Sequence, residues 1–183
     1  MKTTKQTTAR KTNKVPTWDE LREMFKETDK KIAETDRLIK EHSKIIFGIS
    51  ESNGMYAEDY FYNVFKEDPT LGKMHFDDVQ RNRVFKGLQG ENAEYDIVML
   101  NDKNIAIIET KYRARDSDVD QVLDHAVSFR RWFPQYKKHK VYLGLASMNI
   151  RESTAAKARK RGIAVIRQRG GKLVYSDDNL IAF

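Results

Sequence analysis

Eight positions between residues 17 and 47 recur at alternating steps of four and three. They are Leu21, Phe25, Thr28, Ile32, Thr35, Ile39, His42 and Ile46, and charged residues cover the other faces. This spacing is the seam of a heptad repeat and predicts one coiled-coil helix over residues 17–47. A lone helix with so narrow a stripe is unstable in water. We therefore expect a homodimer or higher oligomer through residues 17–47, with packing onto the chain's own domain as the alternative.

Beyond this helix the pattern changes to shorter alternating and apolar segments. Glycines and polar residues at 48–54 predict a hinge, and a second helix is expected over about residues 55–66. The later segments predict strands at 77–86, 95–100, 105–111 and 141–146, helices at 118–133 and 153–161, and a hairpin of 163–167 with 172–175. The order α-β-β-β-α-β-α-β-β predicts an α/β domain in which helices flank a mixed central sheet.

One predicted hairpin places two acids together. The apolar runs 97–100 and 105–108 flank a four-residue turn, and both resemble strands buried on two faces. If Leu100 pairs with Ile105, Asp96 faces Glu109 across the hairpin. Two buried carboxylates repel each other and need a partner. Oxygen ligands favour a hard divalent cation, so the expected cofactor is Mg²⁺, or Mn²⁺ in its place.

Two further groups are candidates for the same site. Lys111 follows Glu109 by two residues, so both side chains lie on one face of the strand. Such a lysine can orient or deprotonate a water and neutralise charge that develops on a phosphate. Glu58 lies on the predicted inner face of the second helix and could hold metal-bound water. Without a metal, an ordinary ion pair of Lys111 with Asp96 or Glu109 is the alternative.

Composition narrows the class of protein and its surroundings. The chain of 183 residues carries a net charge of +7 and no cysteine. Thiolate metal sites and disulfides are therefore excluded, and a reducing compartment fits. No apolar run approaches the length of a membrane span, and no secretory signal begins the chain. We expect a soluble cytoplasmic protein with no membrane partner.

The positive charge is concentrated in two places. Residues 1–14 hold five lysines and arginines without an acid, and residues 125–175 hold thirteen with Glu152 as the one acid. This asymmetry favours a partner that carries phosphates, although a solvated basic face is the alternative. The residues expected to contact nucleic acid are Arg113, Arg115, Arg130, Arg131, Lys157, Arg159, Lys160 and Arg161.

Asp96, twelve intervening residues and then Glu109-Thr110-Lys111 resemble the PD-(D/E)XK, or restriction-endonuclease-like, nuclease superfamily. The resemblance covers roughly residues 54–166 and implies an α-β-β-β-α-β core. It implies that Asp96, Glu109 and Glu58 hold Mg²⁺ and that Lys111 assists the attacking water. Gln121 with His125 resembles the Gln-x-x-x-Tyr element of one branch, with His in place of Tyr, which makes Gln121 a further catalytic candidate. Heptads built on Glu-Thr-Asp before such a domain also resemble uncharacterised bacterial members.

These observations together predict a disordered basic tail over residues 1–16, a coiled-coil helix over 17–47 and a nuclease-like α/β domain over 48–183. The expected function is a Mg²⁺-dependent phosphodiesterase acting on nucleic acid, DNA rather than RNA. One alternative is a non-catalytic protein of the same fold that binds nucleic acid and oligomerises through its coiled coil. A second is an assembly protein in which the heptads are the function.

Overall fold

A computed structural model describes residues 15–86, 92–170 and 172–183 of the chain. Most of the predicted basic tail, residues 1–14, lies outside the described residues. The chain divides after Gly48 into two compact units, residues 1–48 and 49–183. None of the helices in the described ranges is long and apolar enough to cross a membrane.

The first helix is longer than the sequence pattern predicts. Helix α1 covers Trp18–Glu67 without a break, so the predicted hinge at residues 48–54 is wrong. Gly48 and Gly54 each cost about 1 kcal/mol in a helix relative to alanine, but a glycine does not remove a backbone hydrogen bond as proline would. Phe61 and Phe65, both fully buried, hold the later part of α1 in the second unit.

In the first unit the seam positions after Leu21 are solvent-exposed in the single chain. Phe25, Ile32, Ile39 and Ile46 are each more than half exposed. The polar seam positions Thr28 and Thr35 donate their hydroxyl groups to carbonyl oxygens one turn earlier, at 2.8 Å. Their polar atoms are therefore already satisfied within the helix, and their methyl groups remain available at the seam.

The second unit contains a six-stranded mixed sheet beside a two-stranded hairpin. The elements after α1 are β1 (Thr70–Leu71), β2 (Met74–His75), β3 (Asp78–Lys86), β4 (Asn92–Leu100), β5 (Asn104–Ala114), α2 (Asp116–Trp132), β6 (Lys140–Ile150), α3 (Glu152–Lys160), β7 (Ala164–Arg169) and β8 (Lys172–Ser176). A 3₁₀ turn, Pro134–Tyr136, follows α2. The large sheet has the order β3-β4-β5-β6-β7-β8, with parallel pairing of β5 with β6 and of β6 with β7.

This arrangement confirms the predicted fold class. Helices flank a mixed sheet, and the core keeps the α-β-β-β-α-β order, with the small β1–β2 hairpin as an addition that the sequence pattern missed. The sheet has an apolar layer on each face. Val119, Val122 and Phe129 of α2 pack on one face, while Phe61 and Phe65 of α1 pack on the other.

Helix α3 ends at a glycine in the left-handed conformation. Gly162 has a φ of 77°, and its N–H donates to the carbonyl of Arg159 at 3.0 Å. The N–H of Ile163 donates to the carbonyl of Ala158 at 3.1 Å. These two bonds form a Schellman motif, which satisfies the last carbonyls of the helix and turns the chain into β7.

Candidate active site

The candidate site lies where the β4–β5 ladder stops. The predicted register is confirmed from Leu100↔Ile105 to Ile97↔Ile108. The expected ladder pair of Asp96 with Glu109 does not form. Instead, the backbone N–H of Thr110 donates to Asp96 Oδ2 at 2.7 Å, and the Thr110 hydroxyl donates to the same oxygen at 2.9 Å. The carboxylate of Asp96 thus replaces a backbone acceptor at the point where the two strands separate.

The opposite edge of β4 is irregular at the same position. Arg81 pairs with Ile97 and Arg83 pairs with Tyr95, but Asn82, between them, has a φ of 47°. This left-handed conformation costs a non-glycine residue about 1–2 kcal/mol, and asparagine tolerates it better than most. Alternation along β4 also breaks here, because Tyr95 and Val98 pack in the α2 layer. The irregularity redirects Asp96 away from a normal ladder position, as β-bulges do beside functional sites.

Glu109 is the most enclosed charged group of the site, with 3% of its side chain exposed. Its Oε1 accepts hydrogen bonds from Lys111 Nζ at 2.6 Å and from Gln121 Nε2 at 2.8 Å. The ring Nε2 of His125 lies 3.0 Å from Oε2, at ion-pair distance, although its direction does not complete a hydrogen bond. Gln121 and His125, one turn apart on α2, therefore both hold this carboxylate.

The two carboxylates differ in their affinity for protons. Burial, and then the negative charge of Glu109, raise the pKa of Asp96 to about 6, against the opposing hydrogen bonds from Thr110. Burial also acts to raise the pKa of Glu109, but His125 and Lys111 outweigh it and leave that pKa below its usual range. The site therefore holds Glu109 as a carboxylate and lacks a comparable positive partner for Asp96.

Lys111 is held as an ammonium ion. Burial acts to lower its pKa, but Glu109, Asp96 and Asp118 more than offset this, so the pKa lies above its usual value. About a third of the side chain remains exposed. A protonated lysine at the open side of two carboxylates can donate hydrogen bonds and neutralise negative charge on a bound group.

Glu58 lies near this cluster but has partners of its own. It lies 3.9 Å from Arg81, which also forms an ion pair with Asp59. Burial raises the pKa of Glu58, and the charges of Lys111 and Glu109 are close enough to contribute. Met55, about one turn before Glu58 on α1, is 57% exposed, so the inner face predicted for Glu58 does not extend to it.

The donor atoms fit a hard divalent cation in kind. Among the described residues, no three His, Cys, Asp or Glu side chains gather as a metal cluster. Mg²⁺ commonly uses one or two carboxylates and completes its shell with water and substrate phosphate oxygens. Asp96 Oδ1 accepts no hydrogen bond from the described part of the chain, and the Asp96 charge is poorly compensated. Asp96 and Glu109 can therefore contribute oxygen ligands to such an ion.

A cleft of about 420 Å³ lies beyond the carboxylates, where β5 and β6 lead into their helices. It is lined by Arg113, Ala114, Arg115, Asp116, Arg151, Ser153 and Thr154. None of its three guanidinium groups forms an ion pair with a described carboxylate. Arg115 and Arg151 are the capping residues of α2 and α3, so two helix N-termini add partial positive charge. The cleft suits a phosphate group, and Arg151 was missed by the sequence analysis.

Most of the other predicted nucleic-acid contacts have partners within the domain. Arg130 donates to the carbonyls of Lys137, His139 and Phe183, and Arg131 lies 4.6 Å from the ring centre of Trp132. The ion pairs join Lys157 and Arg161 to Asp120, and Arg159 to Glu152. Lys160 lies exposed at the end of α3.

Known proteins give little beyond this geometry. No family model matches the chain, and no curated protein matches it. The crystal structure of a repair endonuclease from Pyrococcus abyssi is similar to 61% of this chain, with 20% identity and a TM-score of 0.46. The match covers 46% of that protein's chain. A likeness this distant carries no residue roles over, and the site's own chemistry is the basis for a function.

Proposed function

We propose that this protein is a metal-dependent nuclease that hydrolyses phosphodiester bonds of nucleic acid, with DNA preferred over RNA. The observation that carries the proposal is the juxtaposition of Asp96, Glu109 and Lys111 where the β4–β5 ladder ends. Two carboxylates in a part-buried site without full compensation favour a divalent cation. An ammonium group beside them favours a substrate that develops negative charge.

Some residues of the site would bind the metal ion, and others would position those ligands and the attacking water. Asp96 and Glu109 would hold Mg²⁺ or Mn²⁺, which when bound supplies Lewis acidity and lowers the pKa of a bound water. Thr110 fixes one oxygen of Asp96, while Gln121 and His125 fix Glu109. Lys111 orients the attacking water by donating a hydrogen bond and neutralises charge at the phosphate. Glu58, which also lies near Arg81, supports the cluster from α1.

The cleft lined by Arg113, Arg115 and Arg151, or arginine cleft, supports the choice of a polyanionic substrate. Arg113 lies two residues after Lys111 on β5, and Arg151 directly follows the neighbouring strand β6. A phosphate bound in this cleft would come from the same nucleic-acid strand as the reacting phosphate. Such contacts position a nucleic acid without reading its sequence. The cleft therefore explains affinity, whereas the carboxylate cluster explains chemistry.

The first test is cleavage of supercoiled plasmid and of labelled single- and double-stranded DNA with Mg²⁺ or Mn²⁺ against EDTA. The wild type is expected to cut only with metal, and Lys111→Ala is expected to lose at least about 100-fold in rate. Lys103→Ala, at the exposed turn of the same hairpin, is the matched control and should retain wild-type activity. Metal-independent cutting, or full activity of Lys111→Ala, would overturn the assignment.

A specific observation also favours a second candidate, a nucleic-acid-binding protein without catalysis. The described residues offer two carboxylates rather than three, because Glu58 is engaged by Arg81. Calorimetric titration with Mg²⁺ separates the two functions. A nuclease is expected to bind the ion in a manner that Asp96→Asn abolishes, whereas the binding protein shows no such affinity while still binding DNA.

We also propose that a second copy of the chain covers the seam of residues 17–47. The exposed seam side chains and the internally bonded threonines support this proposal. Pairing two nuclease domains in this way suits cleavage of both strands of a duplex. Alternative pairing of the seam with another protein would leave the purified chain monomeric.

A further inference from the structure

A second cleft, distinct from the arginine cleft, opens on the α1 side of the sheet. It has a volume of about 330 Å³ and is lined by Tyr56, Tyr60, Tyr112, Met148, Asn149 and Gln168. These residues come from α1 and from β5, β6 and β7, near the carboxyl ends of the three parallel strands. Ligands of open α/β sheets commonly bind beyond that end of the strands.

The chemistry of this tyrosine cleft differs from that of the arginine cleft. None of its six lining residues is charged, so it offers no ion pair to a phosphate. The rings of Tyr56 and Tyr112 are 59% and 43% exposed. Large aromatic side chains are usually better buried, and exposed rings beside a cleft provide flat apolar surfaces on which a planar group can stack.

The cleft also contains polar groups that lack partners. The hydroxyl of Tyr60 is buried and has no hydrogen-bond partner among the described residues. The side-chain amides of Asn149, which is exposed, and of Gln168, which is half-buried, form no hydrogen bond in that part of the chain, although the backbone of Asn149 bonds to Ser147. A buried hydroxyl without a partner is costly. The cleft therefore combines aromatic surface with hydroxyl and amide groups that suit the edge of a planar polar ring.

The position of the cleft connects it to the catalytic cluster. Tyr112 follows Lys111 directly on β5, and alternation along a strand sends its side chain to the opposite face of the sheet. Asn149 pairs with Arg113 in the β5–β6 register. The tyrosine cleft borders α1, whereas the arginine cleft borders the starts of α2 and α3, so the two clefts lie on the two faces of the same sheet edge, just beyond Lys111.

We propose that the tyrosine cleft binds one unpaired nucleobase of the nucleic acid whose phosphates lie at the catalytic cluster. The inference rests on the proposed function and specifies its substrate, a single strand or a duplex carrying an unpaired base beside the reacting phosphate. Aromatic stacking accepts any base, and the amide and hydroxyl groups bond to its edge. A fully paired duplex presents no such base to the cleft.

The test measures binding in EDTA, apart from cleavage, with short fluorescent single-stranded oligonucleotides. Tyr56→Ala and Tyr112→Ala are each expected to weaken binding about 5- to 100-fold, the usual effect of losing one stacked base. Tyr112→Phe is the matched control, because it keeps the ring, and is expected to stay within about twofold of the wild type. Thermal melting of each variant checks that these exposed positions leave the fold intact.

Oligonucleotides with one abasic position, moved stepwise along the strand, locate the base. One position is expected to weaken wild-type binding and to have no effect on Tyr112→Ala, because the partner of the ring is already missing. Uniform wild-type binding across all abasic positions, or unchanged affinity of both alanine variants, overturns the proposal. If the protein cleaves DNA but shows no base-dependent binding, only the proposed role of the tyrosine cleft is refuted. If it shows base-dependent binding but no cleavage, the nuclease function is refuted and the role of the cleft is kept.

Discussion

At the scale of single residues, the site holds Asp96 in an unfavourable setting. Its carboxylate is partly buried beside Glu109, while the ammonium group of Lys111 and the ring of His125 contact Glu109 instead. The left-handed backbone of Asn82 adds strain on β3, which pairs with the strand β4 that carries Asp96. Functional sites commonly store unfavourable energy of this kind, which the rest of the fold offsets.

Replacing this charge is expected to stabilise the protein. The pKa of Asp96 is raised to about 6 in the folded state, so the native state binds its proton more tightly than the unfolded chain. The free energy of unfolding therefore falls as pH rises from about 4 to about 6. Asp96→Asn should raise stability by roughly 1–3 kcal/mol at pH 8 in EDTA, and by much less at pH 4, as measured by urea denaturation.

Asp102→Asn, an exposed acid at the hairpin turn, is the control for that measurement. It removes the same charge from the protein's total without relieving any buried repulsion. A loss of stability in Asp96→Asn at pH 8 would show that the hydrogen bonds from Thr110 outweigh the repulsion by Glu109.

Cation binding should depend on pH through the same residue. A carboxylate must lose its proton before it can bind a divalent ion. The increase in melting temperature caused by Mg²⁺ is therefore expected to be small below pH 5 and to grow through about pH 6. Melting curves with and without Mg²⁺ over this range measure it, and an increase that does not vary with pH would argue against Asp96 as a ligand.

At the scale of elements, the sequence predicts the strands well because their signals are local. The apolar runs beside Asn101–Asn104 set the β4–β5 register, and the charges interrupting those runs identify Asp96, Glu109 and Lys111. The roles of Thr110, Asn82 and Arg151 depend on how separate strands meet, so no local pattern indicates them. The glycines at 48–54 predict a break that does not occur, because a glycine keeps its backbone hydrogen bond and the later part of α1 is held by buried phenylalanines.

Self-association through the seam of α1 can be tested by placing a charge in it. A lysine at Ile32 would place a charge inside the proposed interface, where it has no partner. Ile32→Lys is expected to convert the oligomer to a monomer in light scattering coupled to size-exclusion chromatography. Ala33→Lys, at an exposed position on the outer side of the helix, is the matched control and should leave the mass unchanged. A monomeric wild type would refute self-association.

At the scale of the whole molecule, the net charge of +7 does not indicate which surface would bind nucleic acid. Several cations predicted as phosphate contacts are engaged in ion pairs within the domain, such as those of Asp120 and Glu152. Arg113, Arg115 and Arg151, which form no ion pair with a described carboxylate, line the arginine cleft. Local pairing therefore decides which part of a basic protein remains available to phosphates.

Salt dependence can test this distribution of charge. Arg151→Ala is expected to reduce the slope of log affinity against log salt by about 1, as one phosphate contact is lost. Arg37→Ala, whose guanidinium pairs with Glu41 on α1, removes an equal charge and should leave the slope unchanged. Affinities measured by fluorescence anisotropy in EDTA over a range of salt give both slopes. An equal reduction of the slope in the two variants would mean that net charge alone governs binding.

The placement of Glu109, Lys111 and Arg113 on one central strand has a further consequence. Strand β5 pairs with β6 from Asn104 to Ala114, so the spacing of these three groups is set when the sheet folds. Substrate arrival cannot slide one of them relative to another without breaking that ladder. The entropic cost of aligning them is met during folding, which leaves the site preorganised. A substrate would then be selected by whether its own shape fits a rigid template.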